Sequence, residues 1–132
     1  MSVLDASFVV EALVGTGDRG TAARRRLQGE SMPAAPQILK AEALSGIRSM
    51  TLRGEIAELI GRRAVSRLRR LGVPAYPIEP LMNRIWELRS TISVYDAWYV
   101  ALAERLSTTL VTTDRRLAGA NGPRCEIEVI GN

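Results

Sequence analysis

The stretch VYDAWYVALAERLSTTLVTTDRRLAGA, residues 94–120, does most to limit what this chain can become. AWYVALAERL is apolar nearly all round, so a helix formed from it must be buried on several sides. TTLVTT is a β-branched run of strand length. Ser93-Val-Tyr-Asp96 has the form of a capping box with Ser93 as the cap. A helix, a turn, a short strand and a second helical turn therefore follow one another. Asp96 stands at the head of the helix and Asp114 just past the strand. In a parallel α/β sheet, strand C-termini and the helix starts after them line one crevice, where ligands bind.

The rest of the chain has the same rhythm. SVLD is a short apolar strand ending in Asp5, and FVVEALVG is a helix stopped by Gly15 and Gly17. Asp18 or Thr21 is placed to cap a second helix, TAARRRLQ, closed by Gly29. SMPAAP reads as a brief strand. From Gln37 to Met50 the pattern is helical, with Leu39, Ala43, Ile47 and Met50 on one stripe and Glu42 at its margin. Glu55 to Leu71 reads as an amphipathic helix with Ile56, Ile60, Ala64, Leu68 and Leu71 inward. VPAYPIE is a third strand, Leu81, Ile85, Leu88 and Ile92 mark another helix, and CEIEVI is the last strand. Strands alternating with helices predict an α/β fold around a mostly parallel sheet of about five short strands.

Length and composition bound the chemistry. At 132 residues, 46% hydrophobic and 24% charged, residues 1–132 are expected to form one folded domain. No apolar run reaches the ~18 residues of a membrane span, and MSVLDASF lacks a signal peptide's basic start. The expectation is a cytoplasmic protein with no membrane partner. With one cysteine, Cys125, and no histidine, an intrachain disulfide, a cysteine or histidine zinc site and Ser-His-Asp catalysis are all excluded. Any catalysis must come from carboxylates, hydroxyls, basic groups and a hard cation. The net charge is +4 and every cation except Lys40 is arginine. Such a surface suits a phosphate-bearing partner, although the arginine bias of a GC-rich genome looks the same.

Four acids stand at element starts or stripe margins: Asp5, Glu42, Asp96 and Asp114. Each has a plainer reading: a helix cap for Asp5 and Asp114, the far partner of the Ser93 capping box for Asp96, and a solvated helix charge for Glu42. Brought together, they repel and their pKa values rise unless a cation neutralises them. A site of carboxylate oxygens alone selects Mg²⁺ or Mn²⁺, ions that serve phosphodiester hydrolysis. Spacing does not decide whether the four converge.

VLDASFVVEAL, APQILKAEALSGIR and YDAWYVALAERLSTTLVTTDRRLA, in that order, resemble the PIN-domain nucleases, most closely the VapC-type toxins of bacterial toxin–antitoxin pairs. The resemblance covers nearly the whole chain. It implies a PIN-like three-layer α/β/α sandwich and a metal-dependent endoribonuclease. Asp5, Glu42, Asp96 and Asp114 match that family's acidic quartet, which binds one or two Mg²⁺ or Mn²⁺ ions, and Thr112 matches a position that often carries a hydroxyl near the metal. Some members have another acid after the last aspartate; here Arg115 and Arg116 follow. The resemblance also implies an RNA substrate, a homodimer and a small antitoxin partner. Tyr95, Trp98 and Trp86 are candidates for an apolar partner surface, with core packing as the alternative. The arginines at 24–26 and 62–70 are candidates for steering RNA, or are simply solvated.

A competing reading is a non-catalytic RNA-binding or scaffold protein of the same fold. Retention of all four acids argues against it. Other Mg²⁺-dependent phosphoryl-transfer classes fit less well. Ser7 stands where a haloacid-dehalogenase-type phosphatase needs its second aspartate, and neither a receiver domain's acid pair nor a P-loop is present.

Overall fold

A computed structural model describes residues 1–131. Five strands pair in the order β3-β2-β1-β4-β5, every pair parallel. The strands are β1 (Ser2–Leu4), β2 (Pro33–Pro36), β3 (Ala75–Tyr76), β4 (Thr109–Thr112) and β5 (Ile127–Val129). The helices are α1 (Ala6–Val14), α2 (Gly17–Gln28), α3 (Leu39–Leu52), α4 (Glu58–Arg70), α5 (Met82–Glu87), α6 (Val94–Arg105) and α7 (Arg115–Ala118). Right-handed crossovers from β1 through β3 run one way along the sheet, and those from β3 through β5 run the other. The helices therefore fall on both faces, giving three layers.

The direction of travel reverses between β1 and β4, which are hydrogen-bonded neighbours. That reversal opens a crevice beyond their C-terminal ends, where Asp5 and Asp114 stand. The two strands are buried on both faces, as central parallel strands must be. Against them lies α6, buried continuously from Ala97 to Ala103, with three alanines letting its backbone come close.

Several boundaries differ from the sequence expectation, each for a local reason. Helix α2 starts at Gly17 rather than at Thr21, and Thr21 donates its hydroxyl back to the Gly17 carbonyl instead of capping. Helix α4 is turned relative to the expected stripe: Gly61, Ala64 and Leu68 face inward, and Ile60 is 41% exposed. The cause is contact with α3, because a Cβ on residue 61 would lie 2.6 Å from Thr51 Oγ1. A side chain there would force Thr51 or one of the two helices to shift. The expected helix over Leu81–Ile92 shrinks to a 3₁₀ turn plus α5, since the chain must unwind before Ser93 caps α6.

Gly20 makes the closest helix approach on this face. A Cβ there would stand 2.3 Å from the carbonyl oxygen of Gly15, which also accepts a hydrogen bond from Arg24. Gly20→Ala must push α2 off the end of α1, at a cost of about 1–3 kcal/mol. Gly72→Ala meets nothing within 4 Å and serves as the neutral control. Denaturant melts of both variants check this; equal midpoints would mean that α2 yields freely.

Candidate active site

Asp5 follows β1 directly and is 7% exposed. Its backbone has the extended geometry of a helix cap, yet its side chain caps nothing. Instead Oδ2 accepts two hydroxyls, from Thr112 at 2.6 Å and from Ser7 at 2.8 Å. Each hydroxyl has one proton and gives it to Asp5, so its lone pairs are left to accept from backbone. Ser7 Oγ accepts the Thr113 N–H, and Thr112 Oγ1 accepts the Asp114 N–H. The ends of β1 and β4 are thereby fixed to one another, and Asp5 is fixed to both. Thr112 is fully buried.

Glu42 projects from the first turn of α3, half-buried. Its Oε1 accepts the hydroxyl of Tyr99 at 2.7 Å, a bond linking α3 to α6 across the two helical layers. The phenol is fully buried, and burial together with the Glu42 carboxylate pushes its pKa far up, so it remains a donor. Asp96 is in the first turn of α6, its N–H bonded to the Ser93 hydroxyl as the capping box requires. Asp114 caps α7 by accepting the Arg116 N–H, and its Oδ1 also pairs with Arg116 Nε at 3.3 Å.

Electrostatics tie these groups together. Burial pushes Asp5 upward most, outweighing its hydrogen bonds, and the charge of Asp114 adds to the rise. Glu42 is raised by burial, then by Asp5 and Asp96. Asp96 is raised by burial, then by Asp5 and Asp114. Asp5 and Asp96 are thus charge-coupled both to Glu42 on one side and to Asp114 on the other. Among the described residues no three ligand-type side chains form a ready-made metal-holding group, so the acids frame a crevice and do not make a closed ligand shell. As a donor set they still suit a hard divalent cation: all oxygen, net negative, held by neutral hydroxyls and not by cations. Arg116 on Asp114 is the exception.

A carboxylate whose folded pKa is raised binds protons that the unfolded chain has released. Its contribution to stability therefore falls as pH rises from the ordinary carboxylate range through the raised value. Glu30 has the opposite sign: with its pKa lowered to about 2, it loses stability as pH drops toward that value. The metal-free protein is expected to melt highest in mild acid and lower at neutral pH. Millimolar Mg²⁺ or Mn²⁺ should restore most of the neutral-pH deficit. Melting curves across pH, with and without divalent ion, check this; a metal-free maximum at neutral pH would argue for four independent acids.

Comparison with known proteins assigns the fold to a family. The sequence profile of the PIN domain matches residues 2–122. The chain belongs to the PIN-domain family. Within this family it is 41% identical over 130 residues to the VapC ribonuclease Mb0985 of Mycobacterium bovis, covering 98% of each chain. Its fold matches the crystal structure of Mycobacterium tuberculosis VapC20, described as a sarcin-ricin loop cleaving toxin. The TM-score is 0.68 at 15% identity, covering 90% of this chain and 94% of that one. It also matches VapBC2 of Rickettsia felis, solved bound to a DNA fragment from its promoter. There the TM-score is 0.67 at 16% identity, with 98% of both chains covered. The parallel sheet with helices on both faces is the fold these PIN proteins share.

Two members of the site escape sequence reasoning. Ser7 stands out in the sequence only for not being an aspartate, and Tyr99 reads as one more apolar residue of α6. The candidate partner surfaces divide. Trp98 is buried, its indole N–H without a partner, whereas Tyr95 is 56% and Trp86 63% exposed, Trp86 under the Arg89 guanidinium. In the arginine cluster at 24–26, Arg26 is held by Glu30, Glu128 and Ser2, and Arg24 by the Gly15 carbonyl, while Arg25 is exposed. On α4, Arg62 makes only a 3.8 Å exposed pair with Glu58, which holds it weakly.

Proposed function

We propose that this PIN-domain protein is a metal-dependent endoribonuclease, the toxin of a VapBC-type pair. The observation that supports this most is that acids from distant segments gather by the sheet's reversal point and feel one another's charge: beyond burial, Asp114 raises Asp5, Asp5 and Asp96 raise Glu42, and Asp5 and Asp114 raise Asp96. Asp5, Glu42, Asp96 and Asp114 would hold Mg²⁺ or Mn²⁺. When bound, such an ion makes water nucleophilic at neutral pH and offsets charge on the attacked phosphate and leaving oxygen.

The chain's own residues prepare that site. Thr112 and Ser7 donate to one oxygen of Asp5 and so favour its ionised form. Tyr99 does the same for one oxygen of Glu42. The other oxygen of each carboxylate stays outside these hydroxyl contacts. Rotation of these two carboxylates is restrained. The reaction is hydrolysis of an RNA phosphodiester bond.

The partner reading draws on the relatives. The Rickettsia felis structure is named for a VapB–VapC pair, and the surface here carries exposed apolar side chains, Tyr95 and Trp86 among them. A small antitoxin and a second copy of the chain are the proposed occupants, in a cytoplasmic setting where RNA is present. Among the described residues no helix is long and apolar enough to cross a membrane.

The decisive experiment incubates purified protein with total bacterial RNA in Mg²⁺, Mn²⁺ or EDTA, beside Asp5→Ala. Discrete, metal-dependent fragments absent from the variant are expected, and sequencing their ends names the target. RNA binding without cutting in any metal would move the protein to the scaffold reading.

A further inference from the structure

We propose that Arg116 binds a phosphate of single-stranded RNA on the Asp96–Asp114 side of the acidic crevice, an inference that rests on the nuclease reading above. A cavity of about 280 Å³ opens there, framed by Thr91, Ser93, Asp96, Asp114 and Arg116 above Leu117. Its size lies near the lower end of small-molecule pockets, roughly 300 Å³, and it suits one nucleotide unit better than a folded partner. Its walls bring hydroxyls, carboxylates and one guanidinium together with the apolar Ile92, Leu117 and Ala120. An RNA strand entering past Asp96 and Asp114 meets their charge, and a guanidinium beside them offsets it for a phosphate next to the one the metal ion would take.

Arg116 is the arginine that lines this cavity, and it is free to act. Among the described residues only its Nε is engaged, at 3.3 Å from Asp114 Oδ1, and its side chain is 93% exposed. An ion pair at that exposure holds the side chain weakly. Asp114 does not depend on it, because the Arg116 backbone N–H bonds the same oxygen at 2.9 Å. Exchange of Asp114 for a phosphate is therefore easy, and the planar fork grips phosphate with two parallel bonds. Three other arginines, by contrast, are committed: Arg84 to Glu104 and the Gly122 carbonyl, Arg26 to Glu30 and Glu128, Arg19 to the Thr113 carbonyl.

The test measures binding of a labelled single-stranded RNA in Mg²⁺ over a range of salt, with Asp5→Asn as parent so that nothing is cut. Adding Arg116→Gln is expected to weaken binding about tenfold and to lower the slope of log K against log salt by about 0.7, the share of one phosphate contact. Arg116→Lys should keep the slope and lose only part of the affinity. In otherwise wild-type protein, Arg116→Gln should raise KM far more than it lowers kcat. A slope equal to the parent's, whatever the affinity, overturns the inference: Arg116 would then act only on Asp114. If the wild type cuts and the slope is unmoved, the nuclease reading stands and this inference alone is lost. If the wild type cuts no RNA in any divalent ion, both are lost.

Discussion

Asp96→Asn is expected to lower RNA cleavage about a thousandfold while raising the melting temperature of the metal-free protein. The two directions come from one cause. Asp96 is raised by burial and then by Asp5 and Asp114, and its own charge raises Glu42 in turn. Asparagine keeps the shape of the side chain and the start of α6, because the cap there is the Asp96 N–H on Ser93 Oγ, a backbone bond. What disappears is one negative charge from a crowded set. The group is half-buried, so solvent screening limits the gain to about 1 kcal/mol, a few degrees of melting temperature. With Mg²⁺ present the order should reverse, since the wild type gains from the ion and the variant gains less. A variant that melts lower without metal would make Asp96 a structural cap; one that cuts within tenfold of wild type would remove it from the site.

The parts of this molecule that the sequence made legible are those decided by local pattern. β1 and β4 are short apolar runs with no polar face, which only the middle of a parallel sheet accommodates. Helix α6, without a polar side, announced its own burial. Asp5 and Asp114 at strand ends, and Asp96 one turn into a capped helix, followed from those elements. Their approach to Glu42 did not, because it depends on how α3 and α6 pack across the sheet edge. The phase of α4 was hidden for a related reason. Ile60 looks like core by its own chemistry, and it is exposed because Gly61 must meet Thr51 on another helix. Arg26 likewise reads as part of a basic run, until Glu30 and Glu128 are seen on either side of it. Side chains with both an apolar body and a polar tip are the hardest to read, and Tyr99 is the clearest case.

Tyr99→Ala is expected to have the largest effect on stability. The side chain is fully buried, and deleting such a ring costs about 3–5 kcal/mol, roughly 4 °C of melting temperature for each. That loss says little about function, since any large core residue would behave the same way. Tyr99→Phe is the informative variant. It keeps the ring and removes one donor, leaving Glu42 Oε1 with a buried environment and no hydroxyl. The cost, about 1–3 kcal/mol, falls on the ionised carboxylate, because that is the form the hydroxyl favours. The sign with pH follows. Glu42 already has a raised pKa, and losing the donor raises it further. In acid, where Glu42 is protonated in both proteins, their melting temperatures should be close. As pH rises through the raised pKa the wild type keeps its hydroxyl contact with the charged form, the variant does not, and the gap should widen. Melting curves of both proteins from pH 4 to 8 without metal read this directly. A gap that stays constant with pH would mean that the hydroxyl only fills space, and that Glu42 is held by something other than Tyr99.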